Sequence, residues 1–182
     1  MDSQSNFYDE PISNLRPITR FITTHRKDGK ATIHPAEQVK WQGGRNNEVA
    51  FNLVYTTSEF PSQMNNDSDI TAHEKVVQAG PGLINKGGSV CRICDFAPGN
   101  TPNMHYTQSL DYGVVLEGEM EMMLDSGEVV TMKRGDTAVQ RGTMHAWRNP
   151  SKTEWARMLF VLLDGQPLNV SNGTLGEVSK NK

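Results

Sequence analysis

The chain has 182 residues, 21% of them charged, and a formal net charge of -3. That length suits a single domain with a core large enough to fold without disulfide or metal staples. The mild acidity argues against a nucleic-acid face, which needs clustered positive charge, and no apolar run approaches the roughly 18 residues of a bilayer crossing.

Residues 1–14 are polar and read as a flexible N-terminal arm; Met1 to Pro11 lacks the apolar stretch of a secretory signal, so a cytoplasmic location is expected. From Ile18 to Ile33 a hairpin is predicted, with β-branched Ile22, Thr23 and Thr24 before the turn Lys27-Asp28-Gly29. Glu48–Thr57 reads as a strand with Phe51, Leu53 and Tyr55 on one parity, and Pro61–Asp69 as a loop. Residues 70–80 read as a short helix, started near Asp69 or Thr71 and stopped by Gly80-Pro81.

The second half alternates more clearly. Val90–Phe96, Asp111–Leu116, Glu119–Leu124, Glu128–Lys133, Thr137–Gln140 and Arg157–Leu163 are strand candidates. Pro98-Gly99, Glu117-Gly118, Asp125-Ser126-Gly127 and Arg134-Gly135-Asp136 separate them as turns. Such close spacing predicts an all-β fold, an antiparallel sandwich or barrel with one minor helix. One domain is predicted over 15–170, followed by a polar C-terminal tail over 171–182.

Cys91 and Cys94 form a C-x-x-C spacing, but on a strand residues three apart face opposite sides, so two independent reduced thiols are expected. Without a signal segment the sequons at Asn66, Asn169 and Asn172 carry no meaning. His25, His34 and His73 match no motif and read as surface residues. Met120, Met122, Met123, Met132, Met144 and Met158 read as core fillers that would also give a pocket a plastic apolar lining.

The chemistry gathers in two stretches. If 105–111 is extended, His105, Thr107, Ser109 and Asp111 share a parity and line one interior face, with His145 arriving from a neighbouring strand. Two imidazoles and a carboxylate suit a divalent metal such as Fe, Zn, Mn or Ni. Without metal, His105 and His145 are acid–base groups near pH 7. Thr107 is a poor ligand, which leaves at most three strong protein donors. Arg92 shares a face with Cys94 and Phe96 and is a candidate to bind a substrate carboxylate or enolate; Trp147 is a candidate wall of the pocket, as is Trp155.

These stretches resemble the paired signature of the cupin superfamily. In the first, Gly99, His105 and Gly118 fall on motif positions, Asp111 stands at the glutamate position, and Thr107 replaces the second histidine. In the second, Gly142, His145 and Asn149 match; Gln140 replaces a proline, and the spacing from Gly135 is one residue short. The wording of the first stretch is also similar to small cupins of fungal metabolite-biosynthesis clusters. The resemblance implies a cupin-type β-barrel (jelly roll) and a homodimer in which strands near 18–57 cover a partner's sheet edge.

It also implies a tailoring enzyme of secondary, polyketide-like metabolism. Dehydration, decarboxylation, isomerisation or oxidation of a carbonyl-containing metabolite would run at catalytic His105, His145 and Asp111, with Arg92, Thr107 and Trp147 binding substrate. The competing reading is a non-catalytic small-molecule-binding cupin, favoured by the eroded ligand set at Thr107. A cupin regulator lacks both an appended DNA-binding helix pair and a basic face.

Overall fold

Ala156–Asp164 is a nine-residue strand dominated by apolar side chains, and the rest of the fold is arranged around it. It is β12, and it pairs antiparallel with β6 (Ser89–Phe96) on one side and β7 (Ser109–Glu117) on the other. The computed structural model describes residues 7–35, 40–80, 82–170 and 173–175. Pairing extends outward from β6 through β5 (Val49–Thr57) and β4 (Trp41–Gly44) to β1 (Phe7–Tyr8), and from β7 to β10 (Thr137–Arg141). The result is a seven-stranded sheet, β1-β4-β5-β6-β12-β7-β10.

A second sheet of three strands has the order β11-β8-β9, from His145–Arg148, Glu119–Leu124 and Val129–Lys133. Val90, Cys94, Phe96, Val115, Met158 and Phe160 from the large sheet pack with Met120, Met132 and Trp147 from the small one. The fold is therefore two antiparallel sheets around one apolar core, and neither sheet closes on itself into the expected barrel. Hairpins β2–β3 (Ile22–His25, Ala31–His34) and β13–β14 (Leu168–Val170, Gly173–Leu175) stand apart from both sheets. The helix α1 spans Ser68–Ala79 and ends at Gly80, as the sequence predicts; Pro81 lies outside the described residues.

The strand candidates of the second half match β6 to β10 and β12 to within two residues at each end. Two expectations fail for local reasons. A bulge between Leu53 and Tyr55 places Val54 as an extra residue opposite β6, so Tyr55 leaves the face of Phe51 and Leu53. Its hydroxyl instead donates to Asp69 of α1 at 2.8 Å, and its ring lies 4.5 Å from that of His73. His73, expected at the surface, is buried, with Nδ1 3.1 Å from the Thr56 amide that donates to it and Nε2 3.0 Å from Arg20 Nη1. Burial first, and then Arg20, push its pKa down to about 4.

The expected flexible arm over 1–14 is bonded to the body from Phe7 onward, through β1 and through the buried Ser13 hydroxyl, which donates to Asp95. Tyr8, Ile12 and Ile18 cover the outer face of the large sheet over Trp41, Ala50 and Ile93. The expected tail over 171–182 lies outside the described residues except for 173–175.

Under this cover Asp95 on β6 sits directly across from Arg157 on β12. The guanidinium donates twice to the carboxylate, Nε to Oδ1 at 2.6 Å and Nη2 to Oδ2 at 2.7 Å. Nη1 donates to the Arg16 carbonyl, and the group lies 5.2 Å over the Trp41 ring. Every charged atom of this buried pair is thus committed. Arg157→Met should cost about 3–5 kcal/mol in urea unfolding, because it strands the Asp95 carboxylate, whereas Asp95→Leu combined with Arg157→Met should recover at least half of that. A single-variant loss below about 1 kcal/mol would show that the pair holds nothing together.

Candidate functional site

The glycine-rich turns put the site residues in place. Gly118, with φ +75, reverses the chain between β7 and β8; that backbone conformation favours glycine, and a Cβ there would crowd Ala156 at 3.1 Å. Gly142 (φ +57) turns β10 toward β11 in the same way. Asn149 then ties the second motif down: its side chain donates to the carbonyls of Phe96 and Glu154, while its own amide donates to Asn100 Oδ1.

These turns bring His105 and His145 together as an isolated antiparallel bridge, each amide donating to the other's carbonyl at 2.8 and 2.9 Å. The two imidazoles follow, with ring centroids 4.4 Å apart. Each Nδ1 lies within hydrogen-bond distance of a carbonyl two residues upstream, 2.9 Å to Asn103 for His105 and 2.8 Å to Thr143 for His145. A carbonyl only accepts, so in both neutral rings the proton sits on Nδ1 and Nε2 keeps its lone pair. Burial, then the neighbouring His105, push His145 down to about 4. Burial and Arg45 lower His105 as well, against the Asn103 carbonyl. Both rings are neutral at pH 7.

The rings line a cavity of about 550 Å³ between the two sheets. Of the residues singled out in the sequence, His105, Thr107, Asp111, His145, Arg92 and Trp147 line it, whereas Ser109, expected on the same face, does not. The trace between them differs from the extended run expected. A hydrogen bond from the Ser109 amide to the Thr107 carbonyl (2.8 Å) bends the chain before β7 begins, and Tyr106 lines the cavity beside His105 and Thr107. His105 therefore stands with β11 and the small sheet, whereas Asp111 belongs to β7 in the large sheet, directly across from Gln140.

That division bears on the metal expectation raised by the sequence. Among the described residues no three His, Cys, Asp or Glu side chains come together in a way that would hold a metal ion. The expected set of His105, Asp111 and His145 is a histidine pair on one wall with the carboxylate on another.

Asp111 is buried, and its Oδ1 has no hydrogen-bond partner. Burial raises its pKa from 3.8 to about 6, with the Ser109 hydroxyl and Arg92 opposing the shift. Arg92, on β6, donates through Nη2 to the Gly82 carbonyl at 2.5 Å, while its buried Nε has no partner and no carboxylate pairs with it among the described residues. Trp147 holds His145 edge-on at 5.8 Å and is itself braced by Phe160 at 5.4 Å. Trp155 is not among the lining residues.

The apolar lining is Val49, Phe51, Leu83, Ile84, Phe96, Phe160 and Leu162, and includes no methionine. Met120 and Met132 face each other in the core instead, a role the sequence also allowed. Cys94 lines the cavity with its thiol pushed up to about 12 by burial, while Cys91 is outside it, so the two free thiols point apart as expected. Sequence reasoning missed Gln140 and Arg45 as lining residues. Gln140 was visible as a departure from the motif, whereas nothing local marked Arg45.

The comparisons agree with this architecture. The family model for the Cupin domain (Cupin_2) matches residues 92–162, the span from Arg92 to Leu162 that holds both motifs. The Oryzines biosynthesis cluster protein J of Aspergillus oryzae is 43% identical over 169 residues, covering 92% of this chain and 94% of that protein. This chain belongs to the cupin superfamily. Within it, the Phomopsin biosynthesis cluster protein D of Diaporthe leptostromiformis is 44% identical over 172 residues, covering 91% of this chain and 88% of that protein. The Cupin-domain-containing oxidoreductase virC of Hypocrea virens is 39% identical over 173 residues, covering 93% and 88%. The chain is thus a cupin related to proteins of fungal secondary-metabolite clusters. Among its described residues, no helix is long and apolar enough to cross a membrane.

The raised Asp111 carboxyl has a consequence for stability. Between pH 3.8 and about 6 the folded protein keeps a proton that the unfolded chain has released, so this residue makes the fold less stable as pH rises through that window. Above it the deficit is full, about 3 kcal/mol. The stability difference between Asp111→Asn and the unsubstituted protein should therefore shift in favour of the variant by about that amount from pH 4 to pH 7.5. Urea unfolding at the two pH values measures it, and a pH-independent difference would mean that Asp111 ionises as freely as in water.

Proposed function

We propose that this cupin is an enzyme that tailors a small carbonyl-containing metabolite of a fungal biosynthetic cluster by proton transfer next to the carbonyl, as in an isomerisation. The observation that carries the reading is the division of the cavity walls. A carboxylate and an unpaired guanidinium lie on the large sheet, and two neutral imidazoles with free Nε2 lone pairs lie on the small one.

Asp111, with a pKa of about 6, is ionised at pH 7 and basic enough to take a proton from the carbon beside a carbonyl. The electron pair left behind moves to the carbonyl oxygen, and Arg92 stabilises the resulting enolate. The same proton returns at the far end of the conjugated system, so nothing is consumed. His105 and His145 accept hydrogen bonds from substrate hydroxyls at Nε2 and orient the ring or chain between the walls. Thr107, Trp147 and the apolar lining exclude water.

The designation of relatives such as virC as oxidoreductases favours a second reading, in which the same enolate passes two electrons and a proton to dioxygen, which also takes the proton back from Asp111 and leaves as hydrogen peroxide. Pairing of two copies belongs to the same proposal; the β2–β3 hairpin exposes Phe21 and Ile33, apolar surface of the kind a partner covers.

The test is conversion of cyclohex-3-enone to cyclohex-2-enone, followed by ultraviolet absorbance. Asp111→Asn should lower the rate about 10²–10⁴-fold, and the rate of the unsubstituted protein should rise with pH through about 6 as Asp111 ionises. Chelator and exclusion of oxygen should leave the rate unchanged. Loss of turnover on chelation would replace this reading with a metal-dependent one, and oxygen uptake with the oxidative one. No turnover in a protein that still binds the enone would favour a binding module.

A further inference from the structure

Arg45 is the second cation on the cavity wall, and it lies far from the first. It sits on the β4–β5 turn, where Arg45, Asn46 and Asn47 take φ of 53, 54 and 65, three successive non-glycine residues in the left-handed region. Along the β5–β6 pair, Val49 faces Phe96 and Leu53 faces Arg92, a step of about 13 Å of strand. Arg45 lies a turn beyond Val49, so the two arginines enter the cavity from opposite ends. Inside the cavity their charges act on different partners, that of Arg45 on His105 and that of Arg92 on Asp111, while outside it Arg45 also feels Glu48.

Neither guanidinium is neutralised by contact. No carboxylate lies within ion-pair distance of Arg45 among the described residues. Its acidic neighbour Glu48 is committed elsewhere, accepting from the Thr101 amide at 2.8 Å and from the Thr101 hydroxyl at 3.3 Å. The charged groups lining the cavity are then Arg45, Arg92 and Asp111, and the two neutral histidines add nothing. The lining groups by themselves are net positive, with an exposed cation on the β4–β5 turn and a half-buried one on β6 whose Nε has no partner, while Glu48 lies near Arg45 without lining the cavity.

We propose that the substrate is an oxo acid whose carboxylate is held by Arg45 at the mouth while its carbonyl oxygen lies toward Arg92 and its reacting carbon toward Asp111. A guanidinium matches a carboxylate in charge and in its two-pronged geometry, and at the mouth it binds without the full cost of burial. The carbonyl end of this assignment rests on the proton-transfer reading above; the carboxylate end rests on Arg45.

Ligand-observed NMR titration of the whole chain with levulinate (4-oxopentanoate), and with methyl levulinate as the neutral control, separates the two. Levulinate should bind saturably and the ester about tenfold more weakly or worse. Arg45→Gln should erase that preference by weakening levulinate about tenfold, and Arg45→Lys should keep part of it. An unchanged thermal midpoint shows that the substituted turn still folds. Failure of levulinate to bind, equal binding of acid and ester, or an Arg45→Gln protein that still prefers the acid would each overturn the inference. An acid preference without any cyclohex-3-enone conversion would leave the Arg45 site standing and remove the proton-transfer reading; conversion without acid preference would do the reverse.

Discussion

The pair of backbone hydrogen bonds between His105 and His145 is the constraint on which the site depends. It joins the segment leading into the large sheet to the first residue of β11 in the small one. Both imidazoles are thereby delivered to one point of the cavity wall. Because each ring also binds a carbonyl through Nδ1, position and tautomer are set together. Burial first keeps both rings neutral, and at His145 the neighbouring His105 adds to the effect.

The opposite wall follows from strand register. β12 runs between β6 and β7 and carries Phe160 across from Arg92 and Leu162 across from Asp111. The spacing between cation and carboxylate is therefore set by the sheet and not by their attraction; they influence each other without forming a contact ion pair. An ion pair would hold Asp111 low and quench Arg92. Kept apart, the carboxyl rises toward neutrality and the guanidinium keeps a donor unused, both useful to a reaction that develops negative charge on a carbonyl oxygen. The outer face of the same sheet shows the contrasting arrangement, where Asp95 and Arg157 are in full bidentate contact under Trp41 and the N-terminal segment. One sheet thus carries a satisfied ion pair on its packing face and a separated one on its cavity face.

Much of this was legible in the chain. Alternating residues with turn glycines located β6 to β10 and β12, and the motif positions His105, Asp111 and His145 marked cavity residues without any knowledge of distance. Arg92 was read correctly onto the inner face from its parity with Cys94 and Phe96. The reading was weaker where periodicity is weak. Helix α1 has little amphipathic contrast, so nothing in its sequence distinguished buried His73 from an exposed residue. β11 is only four residues long, too short to show a period.

By itself, then, the sequence determined which residues face inward along each strand and which turns reverse the chain, because period-two alternation and positive-φ glycines are local properties. It did not determine which inward residues meet. Whether His105, Asp111 and His145 form one cluster depends on which sheet each joins, and that is set by pairing with partners far along the chain. Arg45 belongs to the same class: its side chain reaches the cavity only because β5 pairs with β6, residues some fifty positions away in sequence. Local chemistry chose the groups, and long-range strand pairing chose the distances between them.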